Sequence, residues 1–251
     1  LNFEGLAAFQ IGDFERAETA RKRLMVRAEQ TAEHPFNQAI ALQGAAWLSC
    51  LFEDMEALGP LAESLEALSA RHGFVFYRGV GQIFKGVHLL AQGQVDEAET
   101  AIRDGFEVHM LRNGGKLFYS FYAWKLGEAL LEAGHAADCD RLMSGAMDVC
   151  LDQQDRAYLG ELLDVQGRAR QAMGDAEGAE ESLRSAMSTS LALGAVPARI
   201  RATTHLAELL EQSGRSRSAI DVLERMLKSM PATGRCELMD RAQRLHISLK
   251  A

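Results

Sequence analysis

The sequence predicts an all-α solenoid of about six helix pairs, with one further helix capping the end. Three features lead there. A glycine, a short polar turn and then a small residue five positions on recur at Gly12, Gly93, Gly134, Gly174 and Gly214, with Ala17, Ala98, Cys139, Ala179 and Ala219 as the small partners. The last four glycines are spaced 41, 40 and 40 residues apart, and Gly12 stands two such periods before Gly93. Between the turns apolar residues fall at helical intervals, as Leu206, Leu209 and Leu210 do before one turn and Ile220, Leu223 and Leu227 after it.

Each element follows from that register. The unit between Gly12 and Gly93 must turn near Phe52 or Glu53, where Leu51-Phe52-Glu53-Asp54-Met55-Glu56-Ala57 keeps the pattern without its glycine. The turn glycine ends the first helix of a pair in the left-handed conformation, and the small residue lets the second helix cross closely. A second glycine stands seven residues earlier, at Gly5, Gly86, Gly127 and Gly167. Mid-helix glycine costs about 1 kcal/mol against alanine, so its return in register points to close helix contact. The expected pairs are 1–12 with 14–30, 35–52 with 54–71, 75–93 with 95–112, 116–133 with 136–152, 155–173 with 176–193 and 196–213 with 216–230. A cap covers 235–250, and the whole of 1–251 is one repeat domain. Arg112-Asn113-Gly114-Gly115 and Gly194-Ala195-Val196-Pro197 separate pairs, as glycine and proline do.

The glycine-to-alanine signature resembles the tetratricopeptide repeat, whose usual length is about 34 residues. The longer period implies helices extended by a turn or so. HEAT repeats have a similar period but lack this signature, so a right-handed tetratricopeptide-like superhelix is the expectation. Two stretches carry a narrower resemblance: His34-Pro35-Phe36-Asn37-Gln38-Ala39-Ile40-Ala41-Leu42 with Ala45-Ala46-Trp47-Leu48, and Ala70-Arg71-His72-Gly73-Phe74-Val75-Phe76-Tyr77-Arg78 with Gly86 and Ala91-Gln92-Gly93. Together they resemble the C-terminal repeat region of large bacterial signalling ATPases, in which a nucleotide-cyclase or DNA-binding output domain precedes a P-loop ATPase. The resemblance runs best from His34 to Gly214 and fades after Leu227, around Cys236 and His246. It implies a sensor or regulatory arm whose occupancy is relayed to an attached or partner ATPase. Any ATPase or cyclase residues would lie outside this chain, and the opening Leu1 fits a piece of something longer.

Composition narrows the function classes. A formal net charge of −8 repels phosphate backbones and argues against nucleic-acid partners. No apolar run approaches the roughly 18 residues of a membrane span, so no membrane partner is expected. Cys50, Cys139, Cys150 and Cys236 are scattered without a CxxC pair, which points to reduced thiols and a cytoplasmic setting.

Catalytic and cofactor signatures are missing. Asn113-Gly114-Gly115-Lys116 lacks the earlier glycine of a P-loop, Gly79-Val80-Gly81 lacks the third glycine of a dinucleotide loop, and there is neither HExxH nor GxSxG. The seven histidines show no metal-ligand spacing. The expectation is therefore no enzyme, no cofactor and no metal. His88 and His205 lie in apolar helices, where a satisfied hydrogen bond is the plain role and a ligand contact or pH switch the sharper one.

What remains is recognition. Aromatic residues from Phe74 to Trp124 crowd the first helices of units three and four. First helices line the concave face of such a solenoid, and Phe121 and Trp124, three apart, share an inward face. The repeat template puts Glu128, Asp164, Arg168, Arg201, Thr204 and Glu208 at further inward positions. Their mixed charge suits a protein segment or a small polar effector held in the groove, with arginine making two-pronged contacts. A free-standing scaffold for protein–protein contact is the second reading, and an enzyme assembled from distant repeats the third. Leu1, Phe3, Leu6 and Phe9 give the N-terminal end an apolar face, from which homo-oligomer formation is expected.

Overall fold

The computed structural model describes residues 1–113, 118–230, 234 and 236–250. All regular structure among them is helical. The pairs are α1 (Asn2–Gln10) with α2 (Phe14–Gln30), α3 (Pro35–Leu51) with α4 (Met55–His72), and α5 (Val75–Ala91) with α6 (Val95–Arg103). Then come α7 (Tyr119–Glu132) with α8 (Ala136–Gln153), α9 (Leu159–Ala172) with α10 (Ala176–Leu193), and α11 (Val196–Gln212) with α12 (Ser216–Ser229). Helix α13 (Glu237–Lys250) packs on α11 and α12. Among the described residues the chain is a solenoid of six helix pairs with this cap. The expected link at 114–117, and Pro231, Ala232, Thr233 and Arg235 around the start of the cap, lie outside the described residues.

The repeat register has a direct physical cause in each unit. Gly12, Gly93, Gly134, Gly174 and Gly214 all take positive φ, between 72° and 83°. In three units an aspartate then opens the second helix, Asp13, Asp54 and Asp175 each accepting from a backbone N–H three residues on. In the second unit Glu53 occupies the glycine's place with φ 60°, a conformation that costs a side-chain-bearing residue about 1–2 kcal/mol.

The small partners Ala17, Ala98, Cys139, Ala179 and Ala219 are fully buried. The earlier glycines sit where each inner helix touches its outer partner. A methyl group at Gly86 would stand 2.8 Å from the Ala98 carbonyl oxygen and would also strike Ile102. Backbone cannot yield as a flexible side chain can, so Gly86→Ala is expected to cost about 1–3 kcal/mol despite alanine's better helix propensity. Urea unfolding of the variant checks this, and a neutral or stabilising result would refute the close-contact account.

One stretch departs from the expected pattern. The helix read as 95–112 is α-helical only to Arg103, then widens into a π segment over Asp104–Met110 and a single 3₁₀ turn over Leu111–Asn113. At Gly105 this widened segment lies directly on the Gly79 carbonyl, and the ring of the fully buried Phe106 lies 5.2 Å from that of Tyr119.

The inner helices α1, α3, α5, α7, α9 and α11 stand side by side, and α1 also meets α11, so the superhelix closes on itself after one turn. Gly12 abuts Val196. Trp47 on α3 reaches Phe118, Phe121 and Tyr158 at ring distances of 4.5, 4.6 and 6.4 Å. The N-terminal halves of α7 and α9 thus close over an aromatic plug, and the open part of the interior lies towards their C-terminal ends. At the N-terminal end Leu1, Phe3 and Ile11 remain exposed.

Candidate functional site

The interior opening is a polar cavity of about 790 Å³. Its walls come from the C-terminal halves of α7 and α9, from α11, from the α3–α4 turn and from α13. Arg168, Arg201 and Arg241 face Glu53, Glu128, Glu132 and Glu208 across it, with His205 on the same wall as Arg201. A smaller chamber of about 420 Å³ adjoins it, sharing Glu53, Glu128, Glu132 and Arg201 and reaching Trp124, Lys125 and Cys50.

The charges are arranged pair by pair. Arg241 donates to Glu208 at 2.9 Å, and Arg168 lies 3.8 Å from Glu132. Lys125 donates to Glu128 at 2.9 Å while its Nζ sits 3.4 Å from the centre of the Trp124 ring. Burial pushes the Glu128 carboxyl up, but Lys125, Arg168 and Arg201 more than offset it and hold it below the usual carboxylate range. His205 Nδ1 donates to both carboxylate oxygens of the buried Asp164, at 2.8 and 2.9 Å. That bond fixes the ring, and His205 lines the cavity.

Arg201 is the exception. It is nine-tenths buried, yet its neighbours Glu53 and Glu161 stand at 3.6 and 3.8 Å, outside hydrogen-bond range, and its Nη1 has no hydrogen-bond partner. The guanidinium lies over the Trp124 ring at 4.9 Å. Burial alone would lower its pKa; the carboxylates of Glu53, Glu161 and Glu128 outweigh this and keep it firmly charged. Glu161, sealed beneath Arg201 at 1% exposure with neither oxygen hydrogen-bonded, has its carboxyl pushed up to about 7 by that burial.

Of the residues read as inward from the sequence, Glu128, Arg168, Arg201 and Glu208 line the large cavity and Trp124 the smaller chamber. Asp164 stands one layer back, holding His205. Phe121 lines neither, because Trp47 and Tyr158 cover it in the aromatic plug. Thr204 is also buried, its hydroxyl donating to the Ile200 carbonyl at 2.8 Å.

Sequence reasoning missed Glu53, Glu132 and Arg241, and held a ligand contact at His205 only as the sharper of two roles. Glu53 carried a signal, being the residue that breaks the glycine register. Arg241 carried none, because it follows the last repeat.

His88 is held between the Met55 carbonyl and Gln92, at 2.9 and 2.8 Å, in the bland role open to it from the sequence. All four cysteines are buried and free, and burial pushes the Cys139 and Cys150 thiols up to about 12, far from the thiolate a nucleophile needs. Among the described residues no group of three His, Cys, Asp or Glu side chains could hold a metal ion, and no helix is long and apolar enough to cross a membrane.

No family model matches the chain, and no curated protein matches it either. Solved structures do resemble it. Nearly identical TPR-like repeats of a putative kinesin light chain from Podosopora anserina align with a TM-score of 0.54 at 18% identity, covering 78% of this chain and 96% of that one. A variant of those repeats with one residue replaced by methionine aligns with the same TM-score at 16% identity, covering 84% and 98%. A Rap protein complexed with Competence and Sporulation Factor aligns with a TM-score of 0.66 at 13% identity, covering 99% of this chain and 73% of that one. At these identities the likeness shows the fold: this chain is an all-α solenoid of tetratricopeptide-like repeats.

Proposed function

We propose that this chain is a binding module whose interior cavity takes a short protein segment of mixed charge. The observation that carries the reading is the cavity's balance. Three arginines face four glutamates in a space of about 790 Å³. A polyanion would meet four carboxylates there and a polycation three guanidinium groups, whereas a segment carrying both signs exchanges each internal pair for an external one. The similarity to a Rap protein solved with Competence and Sporulation Factor supports a bound partner on such a scaffold. Occupancy would then be relayed to an attached or partner ATPase or other output domain, in the manner of a sensor arm. Relay requires only that the segment favour one arrangement of the array over another, and a closed turn offers such an arrangement.

A peptide array tests the binding step. The labelled chain is expected to bind decapeptides holding acidic and basic residues together, and to leave poly-glutamate and poly-lysine controls empty. Arg168→Ala and Arg241→Ala should each weaken the best binders about tenfold, or about 1.4 kcal/mol. Equal binding by both variants and the parent would move the site away from this cavity.

A further inference from the structure

We infer that Arg201 is a carboxylate-binding site, and that Glu53 is the resident carboxylate which an incoming ligand displaces. The idea builds on the cavity being the binding groove and names the group that the groove anchors.

Three independent observations meet at this pair. The first is the unmet demand of Arg201. A guanidinium offers five N–H donors in a rigid fork, matched to the two oxygens of a carboxylate. Here it is nine-tenths buried; its Nη1 is without a hydrogen-bond partner beside Glu161 at 3.8 Å, and its Nη2 stands 3.6 Å from Glu53, also beyond hydrogen-bond range. Buried donors in this condition call for an explanation, and on the side of Nη2, where Glu53 stands off, a ligand oxygen arriving from the cavity supplies one. A cation–π contact with Trp124, 4.9 Å from the ring centre, helps to hold the guanidinium in place.

The second observation is the turn at Glu53. The corresponding turns of the other units carry Gly12, Gly93, Gly134, Gly174 and Gly214 with φ between 72° and 83°, and Glu53 takes φ 60° in the same place with a full side chain. A residue held in a sparsely populated conformation marks a place where something other than local stability is served. Its carboxylate crosses from the second unit to the sixth and stops 3.6 Å from Arg201 Nη2.

The third is the asymmetry of the two carboxylates. Glu161 is sealed below the guanidinium and cannot leave, whereas the Glu53 side chain is 44% exposed and lines both chambers. Glu53 is therefore the one that yields. Its departure also releases a tie between the second and sixth units, so binding at Arg201 acts directly on the closure of the superhelix.

The test removes Glu53 and returns its side chain as a free molecule. Glu53→Gly restores the residue that the other turns carry, and Glu53→Asn, which tolerates positive φ, serves as a second variant should the first fold poorly. Thermal unfolding is followed with up to roughly 50 mM sodium propionate, against propionamide and against sodium chloride at matched ionic strength. Propionate is expected to raise the midpoint of either variant saturably by about 2–4 °C, at least about fivefold more than it raises the parent. Adding Arg201→Gln should abolish the rise. Equal propionate responses in parent and variant, or no response in both variants, would overturn the assignment. The outcome is separable from the groove reading: a propionate response without any peptide binding upholds Arg201 and defeats the groove, and peptide binding without a propionate response does the reverse.

Discussion

Trp47→Ala is expected to lower the stability of the folded chain by about 3–5 kcal/mol and to split its unfolding into two stages. Trp47 is 2% exposed and lies among Phe118, Phe121, Tyr122 and Tyr158, with ring centroids 4.5 to 6.4 Å away. Aromatic pairs at such distances add about 0.5–1.5 kcal/mol beyond area burial. The second consequence comes from where these partners sit. In an open solenoid each repeat touches only its neighbours, and stability is close to a sum of local terms. Trp47 belongs to the second unit, while Phe121 and Tyr158 belong to the fourth and to the turn that opens the fifth. Removing the indole leaves the local contacts in place and cuts the tie across the turn. The denaturant slope should therefore fall along with the midpoint. Leu65→Ala is the comparison, since Leu65 is equally buried but sits on the outer helix α4. It should cost about 2–5 kcal/mol with the slope unchanged. A Trp47→Ala chain that loses under about 1 kcal/mol, or keeps the parent slope, would show that the plug does not couple the units.

The same contrast between local and cross-turn contacts explains what the amino-acid order reveals. Turns were legible because glycine with positive φ, and a small residue five places on, meet the same demand in every unit, as Gly174 and Ala179 do. The closure was not, because it depends on small rotations summed over six pairs, and no single residue encodes the sum. Gly12 looks like any other turn glycine, and nothing in its neighbourhood announces Val196 184 residues on.

The candidate site divides along this line. Glu128, Arg168 and Glu208 follow from the repeat template, since each sits at an inward place on its own inner helix. Glu53 was legible only as an exception to the register, and its partner Arg201 only as an inward residue. Arg241 comes from the cap, where no repeat pattern reaches. Phe121 shows the converse: its inward direction was readable, but Trp47 covering it belongs to a unit two places away in the stack. The widening of α6 at Gly105 was likewise hidden, because the Gly79 carbonyl it touches lies on a different helix.

Glu161 is expected to make the chain less stable as pH rises from about 5 to 8, through its own titration. Burial raises its carboxyl from an ordinary 4.5 to about 7; Arg201 works against that shift and Asp164 adds to it. A carboxyl whose pKa is raised by folding binds its proton more tightly in the folded state. Its contribution is fully present below about pH 4.5 and is lost as pH climbs through about 7. At about 1.36 kcal/mol per unit, the full swing is on the order of 3 kcal/mol. Other groups titrate over the same window, so the measurement is a difference: urea stability of Glu161→Gln minus that of the parent, taken from about pH 5 to about pH 8.5. Glutamine keeps the size and removes the charge, so the difference should move in the variant's favour by about 2–3 kcal/mol over that range. A difference that stays level would mean that Glu161 ionises as freely in the folded chain as in the unfolded one. The direction matters for Arg201 as well. With Glu161 neutral below about pH 7, Glu53 is left as the nearest charged partner of a guanidinium whose Nη1 has no hydrogen bond, so a carboxylate entering the cavity competes chiefly with Glu53.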